Sequence, residues 1–388
     1  MSESTEKVNN PRAEIDAIDD QLLQLLNKRA EIALRVGAVK ARDDASLCDH
    51  NREHEVLARL CSQNRGPFDD QSIFNIFQRV IDESLHLQQT KYHRPSDGHD
   101  DTNAAVGNLV ANSRVAFLGE PGTFSEEAAL GLLGQSGQTI SCPTFENLFR
   151  AIDEGRADFI LAPLENSLVG SVHRCYDLLL SSSLHIVAEV VLPISHYLIS
   201  GSGSTFETIE TVESHPVALA QCETFFSAHP QLRRVPAQDT AGSVRRVVES
   251  GDQRRAAIGS RRAAENYGGK ILREHVEDHA ENYTRFGLLS PVPDLHSRGG
   301  KASLVVRLKH RPGALHNALR PFVRRGVNLL KIESRPIAGH PSRFNFYFDL
   351  QTPSSESELN AALDEIREQA DELRFLGRYP TIEVKSGK

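Results

Sequence analysis

The chain has 388 residues, 52 acidic against 44 basic side chains, a net charge of −8 and five cysteines. That length asks for two or three domains with cores of their own. The acidic balance gives nucleic-acid binding no global support, and no apolar run reaches the length that crosses a bilayer. An odd number of cysteines without a C-x-x-C pair argues against a disulfide framework, and the polar start of the chain lacks the apolar core of a secretory signal. A cytoplasmic protein is expected.

Asn10 and Pro11 form a cap followed by a first-turn proline, a good helix start. Apolar residues follow at Ile15, Ile18, Leu22, Leu25, Ile32, Val36 and Val39, with the 3–4 spacing interrupted by Arg29. The predicted helix runs to about Ala41, roughly 45 Å at 1.5 Å per residue, too long for a small domain alone. Pairing with a second chain is expected. Arg29 is either a register-setting residue that snorkels or a cation aimed into an internal pocket. Further helices are predicted over Asp49–Gln63 and Asp70–Gln89. The stripe of the last, Ile73, Phe77, Val80 and Ile81, continues into Ser84 and Gln88, so an apolar bundle with a polar cavity is the reading.

Arg12, Arg29, Lys40, Asp49, Arg52, Glu53, Ser84 and Gln88 together resemble, at matching spacing, the active-site set of the all-helical chorismate mutase family. The resemblance implies an intertwined dimer in which Arg12 enters the partner's site. It also implies chorismate as substrate and a pericyclic rearrangement to prephenate, without nucleophile or metal. Arg12, Arg29 and Arg52 suit carboxylate clamps. Lys40 and Gln88 would reach the ether oxygen, where charge develops. Glu53, Ser84 and Asp49 would orient the hydroxyl side and the arginines.

Residues 91–113 are polar and read as a linker. His86, His93 and His99 fall there or beside it without the spacing of a metal site. Beyond the linker, apolar strands alternate with helices in an α/β pattern, with one unit before Pro193 and one after it, suggesting two lobes and a cleft. Gly119-Glu120-Pro121-Gly122-Thr123-Phe124-Ser125 runs from a strand into a helix that Thr123 or Ser125 could cap. A helix start suits an anion, phosphate or carboxylate, and an ordinary turn is the plain alternative. No Gly-Lys-Ser/Thr ending follows, which removes the phosphate loop. His275 and His279 are spaced to share the face of a helix, and Cys222 reads as a packed small hydrophobe.

Polar stretches at Pro163–Ser167, His215–Cys222, Asp239–Ser243 and Asn282–Phe286 fall where such a fold gathers ligand contacts. With Gly119–Ser125 and Thr284-Arg285-Phe286, they resemble the prephenate dehydratase family over about 114–295. The resemblance implies that Thr284 carries catalysis and that Glu165, Asn166 and Gln221 line the site with Arg285, a carboxylate anchor. Thr123 would face a substrate carboxylate. The reaction implied is decarboxylation and dehydration of prephenate to phenylpyruvate, with no cofactor.

Residues 299–388 give the order βαββαβ, its last strand near Thr381–Val384, a ferredoxin-like sandwich. The segment resembles an ACT domain, a module that senses amino acids. Gly313-Ala314-Leu315 and Glu333-Ser334-Arg335-Pro336 resemble its phenylalanine-binding segments. The combined expectation is a multidomain chain: an all-α mutase bundle over 10–90, a two-lobed α/β dehydratase domain, and an α+β regulatory domain. It would be a bifunctional enzyme of phenylalanine biosynthesis, a homodimer or higher homo-oligomer inhibited by L-phenylalanine, without metal, nucleic acid or membrane partners. Alternatives are a dehydratase acting on arogenate and a non-catalytic amino-acid sensor, to which Thr284 would be superfluous.

Overall fold

The computed structural model describes residues 11–42, 50–92, 106, 109–134, 137–293, 299–337, 339–352 and 356–384. Contacts divide the chain into two units, Met1–Asp97 with Val306–Leu373, and Gly98–Val305 with Arg374–Lys388. No described helix is long and apolar enough to cross a membrane.

In the first unit, α1 (Pro11–Arg42), α2 (His50–Gln63) and α3 (Asp70–Tyr92) follow the sequence expectation within a few residues. Leu57 of α2 and Ile81 of α3 are buried. The stripe on α1 is not: Ile15, Leu25 and Val39 are 56%, 63% and 55% exposed. Nearly all of its heptad face is bare in a single chain. The same unit holds most of a four-stranded sheet built from β12 (Lys301–Leu308), β13 (Leu329–Ile337), β14 (His340–Gln351) and β15 (Ala370–Tyr379), in the order β13-β14-β12-β15. Its helices are Ala314–Arg324 and Glu356–Gln369, the second burying Leu359, Leu363 and Ile366 at helical spacing.

The second unit contains two lobes. The first is a sheet of β1 (Arg114–Leu118), β2 (Gln138–Cys142), β3 (Phe159–Asn166), β5 (His185–Pro193), β11 (Tyr283–Ser290) and β16 (Thr381–Glu383), in the order β16-β5-β11-β3-β1-β2, with β4 (Gly170–Ser171) beside β3. Helices Phe124–Leu133, Phe145–Asp153 and His173–Ser181 belong to it. The second is a sheet of β6 (Tyr197–Ser200), β7 (Thr211–Ser214), β8 (Arg233–Pro236), β9 (Arg255–Gly259) and β10 (Lys270–Arg273), in the order β10-β6-β9-β7-β8. Apolar clusters pack around it, Leu198, Val212 and Phe226 in one and Ile199, Val244 and Ala264 in another. The chain passes between lobes twice, after Pro193 and before Tyr283, as the division at Pro193 suggested.

Three expectations are corrected. Val106 and Val110 are buried in the core of the first lobe, so the stretch 91–113 is not linker throughout. The fourth strand of the C-terminal sandwich is β15, because the preceding helix ends at Gln369. The segment Thr381–Glu383 instead adds to the dehydratase sheet beside β5. His275 and His279 do not share a helix: His275 has φ +53°, and the segment spends its backbone groups elsewhere. Val276 N–H donates to His196 O (3.0 Å) and Asp278 N–H to Gln221 O (2.8 Å).

The Gly119–Ser125 turn seats the first lobe on the second. Gly119 and Gly122 have φ of +97° and +90°, and a Cβ on Gly122 would come within 2.8 Å of the Ala263 backbone. Tyr267 Oη donates to Pro121 O (2.7 Å), Ser260 Oγ donates to Gly122 O (2.5 Å), and Arg245 forks onto Glu120 with both bonds at 2.9 Å. The glycines therefore serve turn conformation and close approach rather than a phosphate. Gly122→Ala is expected to cost about 1–3 kcal/mol and to lower the calorimetric melting temperature of this unit. Gly300→Ala, where an added Cβ meets nothing within 4 Å, leaves it unchanged. Equal melting of Gly122→Ala and wild type would contradict the seating.

Candidate active site

A cleft of about 800 Å³ opens between the two lobes. Its walls include Thr123 and Phe124 at the first helix start, Asn166, Thr284 and Phe286 on the sheet, and Gln221 and Asp239–Thr240 from the second lobe. The register of β11 on β3 sets Thr284 opposite Asn166 and Arg285 opposite Glu165. Pro163 and Asn166 both face the cleft although three residues apart, an odd spacing that a regular strand forbids. A register shift between Arg285 and Phe286, where Phe286 pairs with Pro163, makes this possible.

Four side chains of the lining, Asn166, His196, Gln221 and Thr284, join with the fully buried Asn282 behind them in one hydrogen-bonded floor. Asn166 Oδ1 accepts the backbone N–H groups of Leu168 and Val169, both at 3.1 Å. That fixes which end of the amide is oxygen, so Asn166 Nδ2 must turn the other way. It donates to Asn282 Oδ1 (2.7 Å) and Thr284 Oγ1 (3.1 Å). Asn282 Nδ2 donates to Gln221 Oε1 (3.2 Å), which also meets His196 Nε2 at 2.8 Å. His196 therefore carries its proton on Nε2. Thr284 Oγ1 accepts from Asn166, which leaves its own proton for another acceptor.

The structure brings Thr123, Asn166, Gln221 and Thr284 together. Thr123 Oγ1 accepts from Glu126 N–H as helix cap and stays at the wall. Glu165 and Arg285 are corrected: neither is among the residues that line the cleft. As strand neighbours of Asn166 and Thr284 they point to the opposite face. There Arg285 Nη1 donates to Glu165 (2.6 Å) and Arg285 Nε to Glu189 (2.9 Å). Among the described residues lining the cleft, the permanent cation is Arg174, held by Glu146 at 2.8 Å. Sequence reasoning missed His196 and placed Asn282 in a polar stretch without giving it a role; they sit in the two crossings between lobes and are 2% and 0% exposed. A polar residue beside each buried strand end was the available signal. No described group of three or more His, Cys, Asp or Glu is arranged to hold a metal ion. His93 and His99, with the His86 side chain, lie outside the described residues.

In the helical bundle, Arg29 Nη1 donates to Val80 O (3.2 Å) and to Ser84 Oγ, and Gln88 donates to Ala33 O. Arg29, Ser84 and Gln88 thus meet where α1 faces α3. Burial pushes the Arg29 guanidinium below its ordinary pKa. Arg12 lies exposed at the start of α1 and Lys40 half-buried near its end, while Arg52 pairs with Glu55 at 3.0 Å on an exposed face. Asp49 and the Glu53 side chain lie outside the described residues. In the C-terminal sandwich, Gly313, Ala314 and Leu315 line a cavity of about 330 Å³ with Phe344 and Phe346. Glu333, Ser334, Arg335 and Pro336 are on the neighbouring β13, where Ser334 pairs with Phe346 and Pro336 with Phe344.

Burial holds the His196 imidazole below its ordinary pKa, against the opposing pull of Gln221 and Glu277. An unfolded histidine titrates near about 6.5. Stability from the neutral buried ring is therefore present above that pH and is lost as pH falls, when the unfolded chain takes the proton first. His196→Asn is expected to flatten the decline of thermal midpoint below about pH 6.5. An unchanged decline would contradict this placement.

Family profiles match the three regions in order: chorismate mutase type II over residues 11–89, prephenate dehydratase over 115–293 and the ACT domain over 302–368. A bifunctional chorismate mutase/prephenate dehydratase of Neisseria gonorrhoeae is 34% identical over 98% of this chain and 99% of its own. The protein of that name from Aquifex aeolicus is 33% identical over 97% and 98%. Among solved structures, a prephenate dehydratase from Arthrobacter aurescens in complex with L-Phe is 32% identical with a TM-score of 0.64, over 69% of this chain and 90% of its own. GqqA, described as a novel type of quorum quenching acylase, is 34% identical with a TM-score of 0.64, over 69% and 98%. With all three regions in order and identity sustained over nearly the full length, the chain belongs to the bifunctional chorismate mutase/prephenate dehydratase family.

Proposed function

We propose that the chain converts chorismate to prephenate in the helical bundle and prephenate to phenylpyruvate in the interlobe cleft, under inhibition by L-phenylalanine at the C-terminal sandwich. The observation that carries the dehydratase reading is the donor direction at Thr284. As prephenate aromatises, the bond from the ring to its carboxylate breaks and CO₂ leaves. That electron pair enters the ring, the carbon–oxygen bond breaks, and the departing hydroxide takes a proton to become water. The Thr284 hydroxyl, already accepting from Asn166, gives its hydrogen bond to the departing oxygen. A neutral alcohol is a weak acid, so this is stabilisation of developing charge rather than free acid catalysis. Arg174 and the N–H groups at the starts of Phe124–Leu133 and Thr240–Ser250 serve the two carboxylates. Thr123 keeps the first of those starts in place.

The mutase step needs only clamps and ether-oxygen donors. Arg29, oriented by Val80 and Ser84, suits a carboxylate, with Arg12, Arg52, Lys40, Asp49, Glu53 and Gln88 completing the set. The bare α1 stripe supports a dimer in which a second α1 covers it and contributes Arg12. Phenylalanine fits the cavity beside Gly313–Leu315, near the strand bearing Glu333–Pro336. It inhibits by binding one conformation of the enzyme more tightly than another. The free cysteines among the described residues suit a cytoplasmic enzyme. Acylase chemistry, named in one solved relative's description, calls for a nucleophile set against a base. Here His196 Nε2 is spent on Gln221, and burial pushes the Cys222 thiol upward, away from reactivity.

Purified chain given chorismate is expected to form prephenate and then phenylpyruvate, with phenylalanine suppressing the second product. Thr284→Ala should lower dehydratase kcat by about 100-fold or more while leaving mutase turnover intact. Turnover of Thr284→Ala within a few-fold of wild type would remove Thr284 from the reaction. Turnover of arogenate in preference to prephenate would reassign the substrate.

A further inference from the structure

We propose that Glu189 is a positioning residue for the dehydratase reaction, acting on Thr284 through Arg285 from the far side of the sheet. Glu189 lies on β5 and is fully buried, yet its carboxylate is saturated by donors from three segments. Oε2 accepts from Arg285 Nε (2.9 Å) and Nη2, while Oε1 accepts from Lys301 Nζ (2.6 Å) and Thr381 Oγ1 (3.1 Å). Arg285 reaches on to Glu165 on β3 with Nη1 (2.6 Å). Two carboxylates and two cations thus balance in charge and tie β3, β11 and β5 together at one level.

That level is the one the cleft depends on. Glu165 precedes Asn166 and Arg285 precedes Phe286, directly after Thr284. The ladder between β3 and β11 shifts register immediately after Arg285, so regular strand pairing does not by itself hold the two strands in line there. On the other side of β11, Arg285 pairs with Val191, which makes Glu189 its diagonal neighbour on the same face. The guanidinium, forked between two carboxylates, supplies a fixed cross-strand distance where the ladder is irregular. Removing one partner of such a buried group leaves an uncompensated charge, and the strand relaxes to satisfy it. The cleft face would record that relaxation as a displaced Thr284 hydroxyl, and displacement of about 1 Å is enough to cost about two orders of magnitude in rate.

This inference rests on Thr284 assisting the departing hydroxyl, so the test is a double-variant cycle in the full-length chain. Thr284→Ala is measured first: if it is unimpaired, the reading of Thr284 fails independently of Glu189. Glu189→Gln is expected to lower dehydratase kcat by about 10-fold or more with KM for prephenate within about 3-fold and mutase turnover unchanged. Combined with Thr284→Ala it should add less than about 3-fold, because the group it positions is already absent. Arg285→Lys, which retains the charge and loses the fork, is expected to behave in the same way and serves if Glu189→Gln fails to fold. Effects that multiply with Thr284→Ala, or a Glu189→Gln enzyme with wild-type kcat, would overturn the proposal.

Discussion

The dehydratase half of the chain depends on one hydrogen bond, from Asn166 Nδ2 to Thr284 Oγ1. The two residues are 118 positions apart and meet because β11 returns antiparallel to β3. What gives the bond meaning is its direction. Two backbone N–H groups hold the Asn166 oxygen, so its nitrogen has to face Thr284. Isolated threonine hydroxyls rotate freely and donate or accept as needed. This one is committed as an acceptor on one side, which makes it a donor on the other, toward the cleft. Preorganisation of that kind, set before substrate arrives, is the economical way to stabilise charge that develops only in the transition state.

The floor of the cleft also coincides with the two crossings between lobes. His196 follows the first crossing between lobes and Asn282 ends the second, with Ile194 N–H donating to Asn282 O at 2.8 Å. Gln221 belongs to the second lobe and Asn166 to the first, so the hydrogen-bonded chain from His196 to Thr284 spans both. A change in the angle between lobes would therefore act on the same side chains that orient the Thr284 hydroxyl. The Gly119–Ser125 turn forms the opposite wall and is held to the second lobe by Glu120–Arg245 and by Arg262 on Glu126. Cleft geometry and lobe geometry are accordingly a single variable.

Much of this was legible in the sequence, and the failures have physical causes. Helix positions in the bundle followed from apolar spacing, and the two lobes from the break at Pro193. Thr284 and Asn166 stood in polar loops at strand ends. Arg285 was misplaced because it was grouped with Thr284, although strand alternation already requires adjacent residues to face opposite ways. Arg174 and Glu189 carried no local signal, since nothing nearby in the sequence marks a side chain whose partners come from distant segments. The stretch around His275 has helical spacing, yet its backbone groups find partners in neighbouring loops and tertiary bonding overrides pattern. Thr381–Glu383 looked like the last strand of its own domain because strand content alone does not specify which sheet it joins.

The central claim is that Thr284 gives its hydrogen bond to the hydroxyl that leaves. It is tested most directly by the oxygen-18 kinetic isotope effect at that hydroxyl, compared between wild type and Thr284→Ala under conditions where chemistry limits turnover. Loss of the hydrogen bond makes carbon–oxygen cleavage less assisted, so the account predicts a larger normal isotope effect in the variant. An isotope effect that is the same in both enzymes would contradict it.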